Sequence, residues 1–162
     1  MSDTLNVIQA MKKAHPRDKA PCKKAIQKMI YLIQEMKMDL GFDYRIHLYG
    51  PYSADLDIEM RYLCGRGDLI MTDEPGQGHL LEVDADMEVA AVSPEALRII
   101  SSFISKTPSD LELLTTALYV KRALPEAGIE EIIKGVIKIK GQKYSEEQIK
   151  GATAELQEKE YF

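Results

Sequence analysis

The sequence predicts a mainly α (α+β) fold, and two observations lead to that prediction. Apolar residues recur at helical spacing over most of the chain, whereas alternation, the period of a half-buried strand, is confined to a few short runs. Three helical stretches come first, and two strand-like runs around Pro75-Gly76 follow them. This is the element order of a winged-helix domain. We therefore expect a winged-helix-like part with a small antiparallel sheet at residues 1–92 and a helical section at 93–162, packed together as one globular unit.

Two helices are predicted before residue 41. The first begins near Ser2, a good N-cap, and ends before Pro16, because a proline disfavours helical backbone in the residue ahead of it. The second runs from Cys22 to about Leu40 with one apolar stripe, and Gly41 fits the position that ends a helix.

One small sheet is predicted to include the strand that follows these helices. Tyr44–Tyr49 alternates, so its apolar residues should face inward, and Gly50-Pro51 should end the strand in a turn. Ser53 then caps a third helix. Leu69–Met71 and Leu80–Val83 are predicted to flank the wing turn and to complete the sheet.

The remainder of the chain is predicted to be helical. Helices should begin at Ser93, which precedes a proline, at Ser109, near Ile129, and at Ser145, where a Glu/Gln-rich turn forms a capping box.

Composition and charge narrow the function. The 162 residues allow a core that needs no metal or disulfide, and Cys22 and Cys64 form no CxxC pair, so both are expected to be reduced thiols. No charged-then-apolar leader opens the chain, and no apolar run approaches the ~20 residues that span a bilayer. We expect a cytoplasmic protein without a membrane partner. The net charge of −5 divides into +4 over residues 1–50 and −9 over residues 51–162, so only the first part should attract nucleic acid.

Five segments resemble the YwgA-like family in sequence and order. They are IQKMIYLIQ (26–34), LYGPYSADL (48–56), residues 63–70, DLELLT (110–115) and KIKGQKYSEEQI (138–149). Asp68 departs from the family pattern, in which a second glycine-leucine step is usual. The resemblance covers nearly the whole chain and implies the family's fold. The helix and the YGP turn are also distantly similar to the Panacea antitoxin domain, which implies a binding protein that holds a toxin directly or serves as an adaptor for proteolysis.

Candidate protein-binding residues lie around the YGPYS turn. His47, Tyr49 and Tyr52 could form an aromatic patch for a partner, and Asp55 and Glu59 add negative charge on the helix that follows. The structural alternative is that Gly50-Pro51 sets a turn while the tyrosines pack between strand and helix.

The alternative function is a winged-helix DNA-binding transcriptional regulator. The third helix would read DNA, but Asp55, Asp57 and Glu59 are predicted to be exposed on it, and no Lys or Arg occurs from residue 73 to residue 95, so this face should repel phosphates. A basic N-terminal segment is the better candidate, although such a cluster is commonly a solvated surface. Its members are Lys12, Lys13, Arg17, Lys19, Lys23, Lys24 and Lys28.

Catalysis and metal binding have little support. His15, His47 and His79 stand outside any zinc-ligand spacing, and Cys64 lies in an apolar helix pattern without a base beside it. A hydrolase centred on His47 and the neighbouring tyrosines is a third hypothesis with little support. We therefore predict no enzyme activity, cofactor or metal, and expect a protein-binding module of the antitoxin or adaptor type. Its partner would be a toxin or a component of a protease system, with homodimer formation left open.

Overall fold

The computed structural model describes residues 2–162, and its mainly α (α+β) architecture confirms the predicted fold class. The helices formed by these residues are α1 (Asp3–Ala14), α2 (Lys23–Gln34), α3 (Ala54–Arg66), α4 (Pro94–Phe103), α5 (Pro108–Ala123), α6 (Ile129–Lys140) and α7 (Glu146–Glu158). The strands are β1 (Arg45–His47), β2 (Gly50–Tyr52), β3 (Leu69–Glu74) and β4 (Gly78–Val83). Within residues 2–162, no helix combines the length and apolar character that crossing a bilayer requires.

The chain divides into two compact units. The first unit comprises Met1–Asp43 and Ser53–Lys106, and the second comprises Tyr44–Tyr52 and Thr107–Phe162. The sequence placed its boundary after residue 92, whereas in the structure α4 belongs to the first unit and the β1–β2 hairpin belongs to the second.

The first unit is built from α1–α4 and the β3–β4 hairpin. Side chains from all six elements are withdrawn from solvent, among them Ile8, Ile30, Leu56, Leu81 and Ile100. Ser2, Ser53 and Ser93 cap α1, α3 and α4 as predicted, each accepting a backbone N–H from the first turn of its helix. Close packing of this apolar surface is the main stabilising contribution to the unit.

The prediction of one three-stranded sheet is wrong, because the structure contains two separate two-stranded sheets among its described residues. β1 pairs with β2, whereas β3 pairs only with β4, from Leu69 opposite Val83 to Glu74 opposite Gly78. Gly50-Pro51 therefore lies inside a strand, and the turn is two positions earlier, at Leu48-Tyr49. Periodicity alone does not reveal which strand a given strand will pair with.

The predicted end of α2 is also wrong. The helix ends at Gln34 instead of near Leu40, and Lys37 then has a φ of +67°, outside the helical region. The Gln34 amide exchanges two hydrogen bonds with the backbone of Phe42, at 3.0 and 2.9 Å. These bonds require the chain to turn back toward the helix, and this requirement ends α2 early.

The second unit is arranged around α5. Every residue from Leu111 to Leu118 is buried, which is the pattern of a helix surrounded by other elements. α6, α7 and β2 all pack against it. Thr107, and not Ser109, caps α5, because Pro108 occupies the first helical position. The capping box at Ser145 forms as predicted.

Candidate functional site

The β1–β2 hairpin presents two large apolar side chains at its turn, Leu48 and Tyr49, which we call the hairpin tip. Their exposed fractions are 80% for Leu48 and 58% for Tyr49. The sequence predicted that Leu48 would face inward, and this is wrong because the turn lies at residues 48–49 and not at Gly50-Pro51. Two adjacent large apolar side chains on one turn form an exposed apolar surface that a partner can cover, so the hairpin tip is a candidate contact site.

Gly50 places this hairpin directly against α5. Its φ is +86°, a conformation that glycine adopts at little cost. A Cβ atom at this position would lie 2.9 Å from Thr116 Oγ1 and 3.5 Å from Glu112 Cγ, so only glycine allows the backbone to approach so closely. The strand following the hairpin tip is therefore fixed to the most buried helix of the second unit.

A cluster of charged groups centred on the buried Glu112 lies beside Gly50; Lys140 is also buried, whereas the Lys143 side chain is 43% exposed. The carboxylate has no exposed surface, and its Oε2 accepts hydrogen bonds from the Tyr144 hydroxyl at 2.6 Å and from Lys143 Nζ at 2.5 Å. Lys140 Nζ is 3.2 Å from the same oxygen and also donates to the backbone carbonyl of Leu48. Lys140 thus joins the buried carboxylate to the turn that carries the hairpin tip. We call these four side chains, Glu112, Lys140, Lys143 and Tyr144, the Glu112 cluster.

The electrostatics of the Glu112 cluster favour the ionised carboxylate. Removal from water acts to raise the pKa of Glu112, but the hydrogen bonds from the two lysines and the tyrosine outweigh it and bring the pKa to about 2. The same carboxylate raises the pKa of Lys143 by accepting its hydrogen bond. The cluster therefore holds a fixed charge distribution around neutral pH, as expected of a positioning element.

The aromatic candidates of the hairpin occupy different positions. The rings of His47 and Tyr52 lie 5.1 Å apart between centroids, on the two paired strands. His47 is exposed and Tyr52 is half-buried, so the pair stiffens the hairpin while leaving the imidazole accessible. Of the three predicted aromatic residues, Tyr49 alone belongs to the hairpin tip.

The acidic residues of α3 differ from the prediction. Asp55 is exposed as expected, but Asp57 is buried and pairs with Lys23 at 2.5 Å and with Arg61 at 2.8 Å. Glu59 is half-buried and accepts a hydrogen bond from the Thr4 hydroxyl of α1. Two of the three carboxylates therefore face inward, because helical periodicity turns them toward α1 and α2.

An exposed strip of α3 contains apolar residues that the sequence did not single out. Ile58 and Tyr62 are 62% and 61% exposed, and the Arg66 guanidinium lies 5.7 Å from the centre of the Tyr62 ring. Together with Asp55 these residues follow the helical spacing of 3, 4 and 4 positions, so they share one side of the helix. We call Asp55, Ile58, Tyr62 and Arg66 the α3 face.

The basic N-terminal segment is partly neutralised by ion pairs. Lys12 lies 3.1 Å from Asp18 and 3.3 Å from Glu82, and Lys23 pairs with the buried Asp57. Lys28, a member of the predicted segment, is buried with an exposed fraction of 1% and so does not contribute to a surface. The remaining members of the segment differ in exposure: Lys13 and Arg17 are exposed, whereas Lys19 and Lys24 are half-buried. The segment is therefore not a continuous exposed basic surface.

The wing hairpin keeps its acidic character. Asp73 and Glu74 are exposed at the end of β3, and the ring of His79 contacts the Asp73 carboxylate across the hairpin. This surface is unfavourable for phosphate, in agreement with the absence of Lys and Arg from residue 73 to residue 95.

The sequence motifs already contained Gly50 and all four residues of the Glu112 cluster. Gly50 belongs to LYGPYSADL, Glu112 to DLELLT, and the other three members to KIKGQKYSEEQI. Three segments that are far apart in sequence thus come into contact beside the turn that carries the hairpin tip. Spacing along the chain could not reveal this, because the contacts form only when α5, α6 and the hairpin pack together.

Comparison with known proteins gives one informative relative. The chain is 31% identical over 150 residues to a protein of Bacillus subtilis (strain 168) named uncharacterized protein YwgA, and the match covers 84% of this chain and 85% of that protein. No family model matches the chain.

Proposed function

This chain belongs to the YwgA family, and we propose that it is a winged-helix-type protein-binding module of the antitoxin or adaptor kind, without enzymatic activity. The observation that carries the proposal is the hairpin tip, in which Leu48 and Tyr49 are exposed on a turn that Lys140 and Gly50 hold in place. A preorganised apolar or aromatic anchor is the usual centre of a protein interface, since little conformational entropy is lost when it binds.

The winged-helix description rests on the element order of the first unit. Three helices precede a two-stranded antiparallel hairpin, and α3 packs against β3 while α1 and α2 pack against β4. The isolated bridge between Cys22 and Leu80 adds the start of α2 to the edge of that hairpin. This arrangement supports a scaffold on which helix faces and hairpins serve as contact surfaces.

Protein binding is favoured over enzymatic activity by the chemistry of the Glu112 cluster. Its carboxylate is buried, and its acidity is increased and not tuned toward neutral pH. A general acid or base works best with a pKa near the working pH, and it must reach its substrate. The cluster is better suited to fixing the backbone of the hairpin tip.

DNA binding is the alternative function. One feature of the structure favours it and two others oppose it. Asp57 and Glu59 face inward, which removes part of the repulsion expected at α3. The ion pairs of Lys12 and Lys23 and the exposed acids of the wing act in the opposite direction. We favour a protein partner because counter-ion release requires exposed, unneutralised cations, and here two of them are already paired.

The test is co-purification with the protein encoded beside this one. The tagged wild-type chain should retain that neighbour, and the double variant Leu48→Ser/Tyr49→Ser should lose it. Leu124→Ser is the matched control, because Leu124 is an apolar residue of the same unit with 52% of its surface exposed. Failure of the wild type to retain the neighbour, or equal retention by the hairpin-tip variant, would reject this proposal.

A second measurement distinguishes the two kinds of module. If the chain is an antitoxin, expression of the neighbour alone should arrest growth and co-expression of the wild-type chain should relieve the arrest. If it is an adaptor, co-expression should shorten the half-life of the neighbour. Both effects should disappear in the hairpin-tip variant.

A further inference from the structure

The α3 face has a charge order that fits only one orientation of a second helix. Asp55 lies at its N-terminal end, Arg66 at its C-terminal end, and the exposed apolar pair Ile58 and Tyr62 lies between them. The strip extends over roughly 16 Å, from the ~1.5 Å rise per residue of an α-helix. It therefore carries an acidic end, an apolar middle and an end at which the Arg66 side chain is 56% exposed and lies beside Asp68.

We propose that the α3 face binds the α3 face of a second copy of this chain, with the two helices antiparallel about a twofold axis. In that arrangement Asp55 of each copy opposes Arg66 of the other, and Ile58 and Tyr62 of both copies meet in the middle. An interface of this type uses the same surface on both subunits, so the surface must be self-complementary. A parallel arrangement would place like charges opposite each other at both ends.

Local contacts prepare the α3 face for such an interface. The Arg66 guanidinium rests on the Tyr62 ring and its Nε is 3.2 Å from Asp68, so both side chains are ordered before binding. Gly65 is exposed nearby, and a Cβ atom there would meet nothing within 4 Å, so the surface leaves room for close approach. Tyrosine and arginine are also the residue types enriched at the centres of interfaces.

DNA is the competing occupant of an exposed helix in this position, and the charges of the first unit do not favour it. Asp55 lies on the same strip as the apolar pair, and the hairpin after α3 ends in the exposed acids Asp73 and Glu74. A duplex would bring phosphates against these carboxylates, whereas a second copy brings an arginine against Asp55.

The test is sedimentation velocity of the whole chain over about a hundredfold range of concentration, which gives the dimer dissociation constant. The wild type should shift reversibly from monomer to dimer. Ile58→Glu should raise the dissociation constant by about tenfold or more, because it places a charge at the apolar centre on both copies. Leu97→Glu, at a 45% exposed position of α4 in the same unit, should change it by about twofold at most.

Charge exchange tests the antiparallel orientation itself. Arg66→Asp alone should weaken the dimer, whereas Asp55→Arg/Arg66→Asp should restore it to within about threefold of the wild type, since the exchanged charges again attract. Circular dichroism melts confirm that each variant is folded. The double variant keeps the wild-type net charge, so its recovery cannot come from a change in overall charge.

Three outcomes would overturn the proposal: a monomer at every concentration, a dimer that Ile58→Glu leaves unchanged, or failure of the double variant to recover. Retardation of duplex DNA that is lost in Arg61→Ala/Arg66→Ala would assign the α3 face to nucleic acid instead. None of these results bears on the hairpin tip, which belongs to the second unit, so this proposal and the proposed function can fail separately.

Discussion

The side-chain amide of Gln27 on α2 exchanges two hydrogen bonds with the backbone of Ser53. Its Nε2 donates to the Ser53 carbonyl and its Oε1 accepts from the Ser53 N–H, both at 2.9 Å. Seven residues later on the same helix, Gln34 makes the same pair of bonds to Phe42. The two glutamines, seven residues apart in IQKMIYLIQ, thus fix within the first unit the residues just before and just after the β1–β2 hairpin.

Gln27→Ala should lower the free energy of unfolding by roughly 2–4 kcal/mol, because it leaves a buried N–H and a buried carbonyl of Ser53 without their partner. Chemical denaturation measures the loss. Gln34→Ala is the matched comparison and should cost less, because Gln34 and Phe42 are only half-buried and water can replace the amide. A larger loss for Gln34→Ala would contradict this account.

The stability supplied by Glu112 should depend on pH with a defined sign. Its pKa is about 2 in the folded chain and about 4.5 ordinarily, so the folded state favours the ionised form. The contribution is fully present above pH 4.5 and is lost as the pH falls toward 2, because both states then bind the proton. Its size is at most on the order of 3 kcal/mol.

Glu112→Gln provides the measurement. Near neutral pH it should lower the free energy of unfolding by roughly 3–5 kcal/mol, since two lysines lose their buried counter-ion. The difference in the free energy of unfolding between the wild type and Glu112→Gln should become smaller as the pH is lowered from 4.5 toward 2. Glu158→Gln, at an exposed position at the end of α7, should change the free energy of unfolding by the same small amount at every pH. If the difference in free energy of unfolding between the wild type and Glu112→Gln does not change with pH, the pKa argument is refuted.

Gly50→Ala should destabilise the chain by roughly 1–3 kcal/mol through its positive φ, with a further cost from contact with Thr116. Gly78→Ala separates the two contributions, because Gly78 has a φ of +74° but a Cβ atom there meets nothing within 4 Å. Thermal melts of both variants should show the larger loss at Gly50. Equal losses of stability in the two variants would mean that α5 shifts to accommodate the added methyl group, and would contradict the prediction.

Leu63→Ala should lower the free energy of unfolding by roughly 2–5 kcal/mol, since it leaves a cavity where a side chain with 5% exposure packs in the first unit. Leu97→Ala, at a 45% exposed leucine of the same unit, should cost less than about 1 kcal/mol. Denaturant midpoints of the two variants check the comparison. A near-neutral result at Leu63 would contradict its place in the core.

Helix caps, the wing strands and helix faces were predictable from the sequence, because each depends on residues that are close together in the chain. Ser53 and Ser93 cap their helices because a hydroxyl reaches N–H groups two or three positions further on. The wing strands were located from a Pro-Gly turn between apolar runs, although they extend further than predicted. Helical periodicity also accounts for the inward stripe of α3, since Leu56, Met60 and Leu63 recur at positions i, i+4 and i+7 and are all buried.

The sequence by itself determined the number and kind of most elements, because caps, turns and periodicity act over a few residues. Tertiary structure alone decided the contact of Lys140 with the Leu48 carbonyl, the inward turn of Asp57 and the meeting of Glu112 with Lys140. These contacts join residues that are 92, 34 and 28 positions apart in the sequence. Burial and electrostatic pairing at such separations are decided only when the helices pack against each other, so a local sequence pattern does not predict them.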